Sequence, residues 1–398
     1  MTFRKKIYII FIILAILELL KRTSFSVSLT TYISTICLYY LLFILFSYIK
    51  SNIDYIKNNY NGIAWIIIFS VFNIIMIIRS LMNSDSYWTY KEILVNTGPT
   101  LFIYLFIFLT KEINLFKNIL RFILRYYLIA SSLFIYNSTI ANTGRIMCNT
   151  IPLIYYFSKK YKWIIIIFVI YSLTISFEAR AWVLRAVFGL CIGLYYLFSR
   201  KYHQKFIHIY KPIFFLLLFL SLTFSYLGYK GVFNVFNMKD YLESYNIRKE
   251  NTVDTRSFLY VLVQNKLEKD DSVINGVGIG VSYWDEFQAN TGIYEIDTMG
   301  RTSTESGLLN MYLWGGLLGA FLFSMLFWTS AYYGIFKSRN NICKLIGLYI
   351  MFRWVVSFVD EPNTWVCSNI MMYLFMGFCL NKRIRNMNDF NLKEYFKI

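Results

Sequence analysis

Long apolar runs constrain the fold of this sequence more than any other feature. The runs are about 15 to 30 residues long and rich in Ile, Leu, Phe and Tyr, as in "WIIIIFVIYSLTIS". A helix that crosses a hydrocarbon core of about 30 Å needs roughly 20 residues, whereas a transmembrane β-strand shows about 10 residues of alternating polarity. Of 398 residues, 57 % are apolar and 20 % aromatic. We therefore predict an all-α, polytopic integral membrane protein.

The runs predict about twelve membrane-spanning helices. They cover residues 7–20, 29–49, 63–82, 97–110, 119–136, 143–158, 162–177, 181–198, 213–228, 306–336, 342–359 and 366–380. We interpret the first as a retained span and not a signal peptide, because it lacks a small-x-small cleavage site and carries Glu18 near its end. The sixth is only partly apolar and contains Pro152, which a membrane helix tolerates when neighbours satisfy the freed carbonyl.

The positive charge follows these spans. Lys and Arg gather in alternate connections and in both termini, which the positive-inside rule places in the cytoplasm. The net charge of +18 is thus spread over the inner ends of many spans, so we expect no nucleic-acid partner. The chain divides into helices 1 to 9 (1–228), a large outer loop (229–305), and helices 10 to 12 with a basic tail (306–398). That loop is too long for mere linkage, so we expect it to be functional.

One stretch of the loop, "VDTRSFLYVLVQNKLEKD" (253–270), predicts a helix capped near Asp254 or Thr255. Its apolar face could lie on the membrane surface. Arg256 would stand in the first turn, where a cation meets the positive end of the helix dipole. Two interpretations stay open: Arg256 binds a ligand, or it is a surface residue paired with Asp254.

A second stretch, "INGVGIG" (274–280), has three glycines at alternate positions. Glycine permits positive φ and close approach of the backbone to a ligand. The stretch is either a plain turn or a loop that lines a site. It is not a dinucleotide fingerprint, because no strand-loop-helix pattern surrounds it.

Several arginines stand within or at the outer ends of spans. They are Arg79, Arg145, Arg180, Arg185 and Arg353. A charge in the bilayer costs about 2.5 kcal/mol or more, so such residues usually face a cavity or a partner. Because the guanidinium fork binds phosphate in a bidentate way, a lipid-linked diphosphate would suit them. The alternative for each is a local salt bridge or snorkelling to headgroups. Arg301 and Asp254 of the loop complete our substrate-binding candidates.

Glu305 lies where "TSTESGLLNMYLWGGLLG" (302–319) turns from polar loop to apolar helix. As an acid at a helix N-terminus it would stabilise the helix by about 0.3 to 1 kcal/mol. As a carboxylate at headgroup level it could instead accept a proton or orient a hydroxyl. Both interpretations stay open.

The ordered series "SFEARAWVLRAVFG", "TRSFLYVL", "INGVGIG" and "ESGLLNMYLWGGLLG", on a many-span chain with one late outer loop, resembles the oligosaccharide repeat-unit polymerase (O-antigen polymerase) and O-antigen ligase superfamily of bacterial envelope glycosyltransferases. The resemblance implies a GT-C-like protein of the bacterial cytoplasmic membrane with both termini inside. It implies an undecaprenyl-diphosphate-linked glycan as donor, a glycan acceptor, and inverting transfer without metal or cofactor. Arg180 and Arg256 would neutralise the leaving diphosphate.

The ligase branch of this superfamily has a histidine where this chain has Glu305. The two histidines here, His203 and His208, both lie in a predicted cytoplasmic loop. We therefore favour a polymerase of surface polysaccharide as the function, and a ligase second. A separate flippase and a chain-length regulator of the same pathway are candidate partners. A flippase is the rival class, opposed by the long outer loop and by the lack of internal repeats and of matched broken helices. A scaffold of the assembly machinery would not need arginines at the outer boundary.

Overall fold

The chain is helical throughout the part that we describe. A computed structural model of the protein describes residues 3–21, 27–127, 144, 146–175, 180–199, 209–229, 257–283, 302–362, 364 and 366–396. These residues form helices and turns without a β-strand, apart from one isolated bridge between Tyr60 and Asn381. The predicted all-α class is confirmed for them.

Fifteen helices are numbered here in chain order. They are α1 (Phe3–Lys21), α2 (Val27–Ser51), α3 (Ile53–Asn59), α4 (Ile63–Met82), α5 (Tyr87–Lys111), α6 (Ile113–Phe122), α7 (Lys159–Ile175), α8 (Arg180–Ser199), α9 (Tyr210–Tyr229), α10 (Ser257–Lys269), α11 (Gly307–Phe336), α12 (Asn341–Val356), α13 (Cys367–Leu380), α14 (Lys382–Asn386) and α15 (Asp389–Phe396). Within α5 the pitch changes from α to π at Glu92–Thr97 and then to 3₁₀ at Pro99–Lys111.

Among the described helices, α4, α5, α11 and most of α2 are long and apolar enough to cross a membrane. Large apolar side chains on α2 and α4 point outward, with Ile36 69 %, Phe43 68 % and Ile67 54 % exposed. Helices of bilayer length with exposed apolar surface are suited to lipid contact. α7, α8, α9 and α13 hold shorter apolar stretches. The helices are thus compatible with a membrane protein, while the twelve crossings stay a prediction.

Most described residues of the predicted spans lie in helices. α4 begins and ends at the predicted residues, and α11 begins one residue after the predicted start. The fifth span is helical to Tyr127 and then leaves the described residues. The sixth becomes a 3₁₀ helix at Ile151–Tyr156. Pro152 lies near the start of that segment, where its missing N–H does least damage.

α13 forms the centre of the described bundle. Every residue from Cys367 to Leu380 is buried, as expected of a helix that is apolar on all sides. The contact with the 3₁₀ part of α5 is close, because a Cβ at Gly377 would lie 2.3 Å from the Ile107 carbonyl oxygen. The first turn of α13 carries Asn369 into this interior, next to the end of α12.

α11 is interrupted at Gly316, whose φ of 64° and ψ of −161° are not helical. The segment 273–280 fills the interruption with backbone hydrogen bonds. Val277 N donates to Leu313 O (2.9 Å), Gly278 N to Trp314 O (3.0 Å), and Leu317 N to Val273 O (2.9 Å). A broken helix inside a membrane protein requires such partners for its freed polar groups.

The three glycines of 274–280 all have positive φ, at 70°, 95° and 83° for Gly276, Gly278 and Gly280. A Cβ at Gly276 would lie 2.4 Å from the backbone carbon of Trp314. The positive φ that these glycines permit is therefore observed. The backbone that they approach is that of α11, which fits the interpretation as a structural turn.

Clusters of polar side chains lie at both ends of α12. α12 rises about 24 Å from Asn341 to Val356. Next to its beginning, the Asn340 side chain donates to the carbonyls of Ile384 (3.0 Å) and Arg385 (3.2 Å), and we call this the Arg385 end. Past its last turn lie Asp360 and Glu361, which define the Asp360 end. The candidate site is at the Asp360 end.

Candidate functional site

Two buried arginines from different helices meet on one carboxylate at the Asp360 end. Arg185 of α8 forms an ion pair through Nη2 with Asp360 Oδ2. Arg353, in the last turn of α12 and 1 % exposed, places Nη1 3.6 Å from the same oxygen. A buried charge requires a partner, and Asp360 supplies it for both guanidinium groups. In the described part of the chain, two guanidinium groups thus share one carboxylate.

Packing and side-chain amides fix these groups. The rings of Phe188 and Phe352 stack with centroids 3.7 Å apart, which joins α8 to α12. Arg353 Nη2 donates to Asn369 Oδ1 (3.1 Å), and Asn369 Nδ2 donates to the Glu361 carbonyl (3.1 Å). The turn between α12 and α13 is thereby held against the arginines. Among the described residues, Arg353 Nε has no hydrogen-bond partner.

Glu361 directly follows Asp360 in the sequence, and its side chain is bound by a residue of α11. Asn310 of α11 donates from Nδ2 to Glu361 Oε1 (2.9 Å). Asn310 Oδ1 accepts from the Thr304 backbone N–H and hydroxyl, which fixes the segment 302–306 as well. Burial raises the pKa of Glu361 to about 7, against the lowering effect of the Asn310 hydrogen bond, and the charges of Glu92 and Glu305 raise it further. This carboxyl group therefore titrates near neutral pH.

A polar cavity opens on Glu361. Its volume is ≈ 700 Å³, and its wall includes parts of α1, α2, α5 and the two turns at Ser303 and Thr364. Carboxylates of Glu18, Glu92 and Glu361 face it together with hydroxyl groups of Ser and Thr. The size lies in the range of small-molecule sites. Glu361 thus stands between the arginine cluster and the cavity.

Glu305 lies beside this cavity but does not cap α11. The cap is Ser306, whose Oγ accepts from Leu309 N (3.3 Å) and donates to the Ser357 carbonyl (2.9 Å). Glu305 itself is exposed. Ser306 and not Glu305 is therefore the N-cap residue, because the serine satisfies the free N–H, while the dipole interpretation of Glu305 stays a prediction. Its predicted place directly before α11 is observed.

Of the other predicted residues, the structure brings Arg185 and Arg353 together and places Arg79 elsewhere. Arg79 Nη2 donates to the carbonyls of Asn275 (2.8 Å) and Trp314 (3.0 Å), so it supports the interrupted part of α11. Arg180 begins α8. Four candidates lie outside the described residues: Arg145, Asp254, Arg256 and Arg301.

The predicted helix 253–270 is observed as α10, with a different environment for its apolar face. Leu259, Val263 and Leu267 are buried in protein contacts. Gln264 accepts from the Tyr312 hydroxyl of α11 at 2.6 Å. The interpretation that this face lies on the membrane surface is wrong, because α11 and its neighbours cover it.

Sequence reasoning missed Asp360, Glu361, Asn310 and Asn369. One signal was present: Arg353 stands inside an apolar span and needs an acid, and "DE" at 360–361 follows two turns later. The asparagines gave no signal, since their partners come from other helices. Within the described residues, no group of three His, Cys, Asp or Glu side chains could hold a metal ion.

Comparison of the chain with models of known protein families, with curated proteins and with solved structures gives no significant match. Assignment to the polymerase and ligase superfamily therefore stays a prediction. What the molecule itself offers is a helical protein with apolar helices of membrane length, a buried arginine pair and a neighbouring polar cavity.

Proposed function

We propose that the protein is a membrane glycosyltransferase that polymerises undecaprenyl-diphosphate-linked oligosaccharide repeat units into a surface polysaccharide. The observation that carries the proposal is the Arg185–Asp360–Arg353 cluster, placed next to a polar cavity at one end of an apolar bundle. A lipid-linked diphosphate glycan has the same three parts: an apolar chain, a strong anion and a sugar.

The chemistry is an inverting displacement. The acceptor hydroxyl oxygen bonds to the anomeric carbon of the donor while the bond from that carbon to the diphosphate breaks. The leaving diphosphate gains negative charge, which guanidinium groups stabilise because they stay protonated and donate in pairs. Arg185 and Arg353 share the single carboxylate of Asp360, and Arg353 Nε has no partner among the described residues. Both features favour an anion.

The finer parts of the sequence prediction belong to the same proposal. The Asp360 end faces the outside of the bacterial cytoplasmic membrane, twelve helices cross it, and both termini are cytoplasmic. In this proposal Arg180 and Arg256 neutralise the leaving diphosphate, Arg301 contributes to substrate binding, and Glu305 acts on Glu361 through its charge. A flippase and a chain-length regulator act in the same pathway.

A lipid-linked oligosaccharide flippase is a second candidate, and one observation favours it. α11 is interrupted at Gly316, and transporters commonly use interrupted helices at their binding sites. In the described residues, however, segment 273–280 satisfies the Leu313 and Trp314 carbonyls that a substrate or ion would otherwise bind. The O-antigen ligase alternative differs only in the acceptor, and the lack of an outer histidine makes it the weaker of the two transferases.

A deletion strain separates these functions. We expect its surface polysaccharide, run on a gel, to lose the length ladder and keep single repeat units on the surface acceptor. Complementation with Arg185→Lys should restore little of the ladder, since charge remains but the paired hydrogen bonds are lost. Polymer that accumulates on the lipid unattached would instead identify a ligase. Repeat units trapped at the cytoplasmic face would overturn both in favour of a flippase.

A further inference from the structure

The wall of the polar cavity is rich in hydrogen-bond acceptors. Ser34 Oγ donates to Thr30 O (2.7 Å), Thr35 Oγ1 to Val95 O (2.9 Å) and Thr100 Oγ1 to Thr97 O (2.7 Å). A hydroxyl group has one hydrogen and two lone pairs. Each of these oxygens already donates its hydrogen and can still accept a hydrogen bond. A ligand for this wall must itself bring donors.

The charged residues of the wall also favour a ligand that donates hydrogen bonds. Glu92 accepts from Asn96 (2.7 Å) and Thr97 (2.6 Å), and a carboxylate keeps further acceptor sites beyond two bonds. Glu18 and Glu361 add two more carboxylates, whereas Lys21 is the only cation among the described residues of the wall. Such a wall repels phosphate and acidic sugars. It suits a molecule with many hydroxyl groups and no negative charge.

Glu361 has a position of its own in this wall. Asn310 engages Oε1, and Oε2 has no donor among the described residues. The preceding residue, Asp360, forms ion pairs with both Arg185 and Arg353. A sugar in the cavity and a diphosphate at the arginines would therefore meet at Glu361.

We propose that this cavity binds the acceptor glycan as an uncharged saccharide, and that Glu361 takes the proton from its attacking hydroxyl group. The inference rests on the proposed function and adds the acceptor site and the base to it. As the acceptor oxygen bonds to the anomeric carbon, its O–H bond breaks and the proton passes to Glu361 Oε2. The electron pair of the broken anomeric bond leaves with the diphosphate. Glu361 then returns the proton to water.

A carboxyl group that titrates near pH 7 is suited to this step, because it is ionised in a useful fraction at neutral pH and still basic enough to accept a proton. The exposed Glu268, hydrogen-bonded to Gln264 on α10, provides a matched control of the same residue type outside the cavity.

The test uses the full-length protein in nanodiscs, with lipid-linked repeat units as substrate. We expect Glu361→Gln to lower the polymerisation rate by about 100-fold or more, and Glu361→Asp to recover part of it. Glu268→Gln should match the wild-type rate. Glu361→Gln that polymerises at the wild-type rate with an unchanged pH profile would overturn the role of Glu361.

Binding is measured separately, by calorimetry with the neutral oligosaccharide released from the producing strain's own polysaccharide. We expect Glu361→Gln to bind it, which also shows that the variant is folded, and Glu92→Gln to bind it at least several-fold more weakly. Equal binding by Glu92→Gln and wild type would overturn the acceptor site. A wild-type protein that binds the saccharide but makes no polymer would overturn the proposed function and leave the saccharide site standing.

Discussion

Asp360 and Glu361 are neighbours in sequence with opposite surroundings. Asp360 contacts two guanidinium groups, whereas Glu361 lies near Glu92 and Glu305 in the wall of a cavity and has a pKa of about 7. Adjacent acids in such different surroundings can take different roles at catalytic sites, one as a fixed charge and one as a proton carrier. We assign the fixed charge to Asp360 and the proton to Glu361.

Glu305 offers a test of this assignment through its effect on Glu361. Its negative charge raises the pKa of Glu361, after burial and the charge of Glu92. Removing that charge in Glu305→Gln stabilises ionised Glu361 and lowers its pKa. Because the ionised form is the base, we expect the acid limb of the polymerisation rate against pH to move to lower pH, with the maximal rate kept within about threefold.

The measurement is the polymerisation rate from pH 5 to 8 with wild type and Glu305→Gln side by side. A rate that collapses at every pH would assign the base to Glu305 in place of Glu361. An acid limb that moves to higher pH would contradict the proximity of the two carboxylates.

For single residues, the sequence predicts which side chains are unusual, but not which of them are in contact. Arg185 and Arg353 are identifiable because cations in apolar spans are costly. Their shared partner Asp360 is not identifiable, since the contact depends on how α8 packs against α12. Arg79 shows the opposite error: it has the same sequence signal, yet its partners are the carbonyls of Asn275 and Trp314.

At the scale of elements, α11 is the helix that the sequence predicts least completely. Its bounds follow from apolar length and from the polar stretch before it, and the predicted start is off by one residue. The sequence does not predict the interruption at Gly316, because the apolar pattern continues through that residue unchanged. It exists because a segment about 40 residues earlier pairs with both sides of it, a contact that local periodicity does not encode.

Gly316→Ala tests how much this interruption matters. The residue has φ 64°, and a Cβ there would lie 2.2 Å from the Ile274 carbonyl oxygen. Since both the left-handed backbone and the contact oppose a side chain, we expect a loss of about 2 kcal/mol or more in stability. Leu317→Ala, at the exposed neighbour, is the control and should change stability by less than about 1 kcal/mol.

Thermal unfolding in one detergent compares the two variants with wild type. A midpoint for Gly316→Ala equal to that of Leu317→Ala would mean that the helix closes over the interruption without cost. The pairing of 273–280 with α11 would then contribute little to the fold.

At the scale of the whole molecule, contacts between distant segments are compatible with the topology predicted from charge, because each joins residues on the same predicted side of the membrane. Arg4 pairs with Glu112, and the backbone of Tyr60 bridges to Asn381, all in predicted cytoplasmic segments. Glu18 accepts from the backbone of Cys367, and both lie at predicted outer ends. The order of the apolar helices along the chain was readable from hydropathy. Their neighbours in space were not, because helices that are apolar all round give no direction to a partner.

The topology itself is testable by labelling single cysteines from outside intact cells. In a Cys191→Ser background, which removes an exposed native thiol, we expect a membrane-impermeant maleimide to label Asp271→Cys. Arg383→Cys, exposed at the opposite end, should react only after the cells are permeabilised, because the positive-inside rule predicts that the basic segment around it lies in the cytoplasm. Labelling of Arg383→Cys alone in intact cells would invert the topology and move the Asp360 end to the cytoplasm. Labelling of both would mean that the two ends share one side of the membrane, which a bundle of spanning helices does not allow.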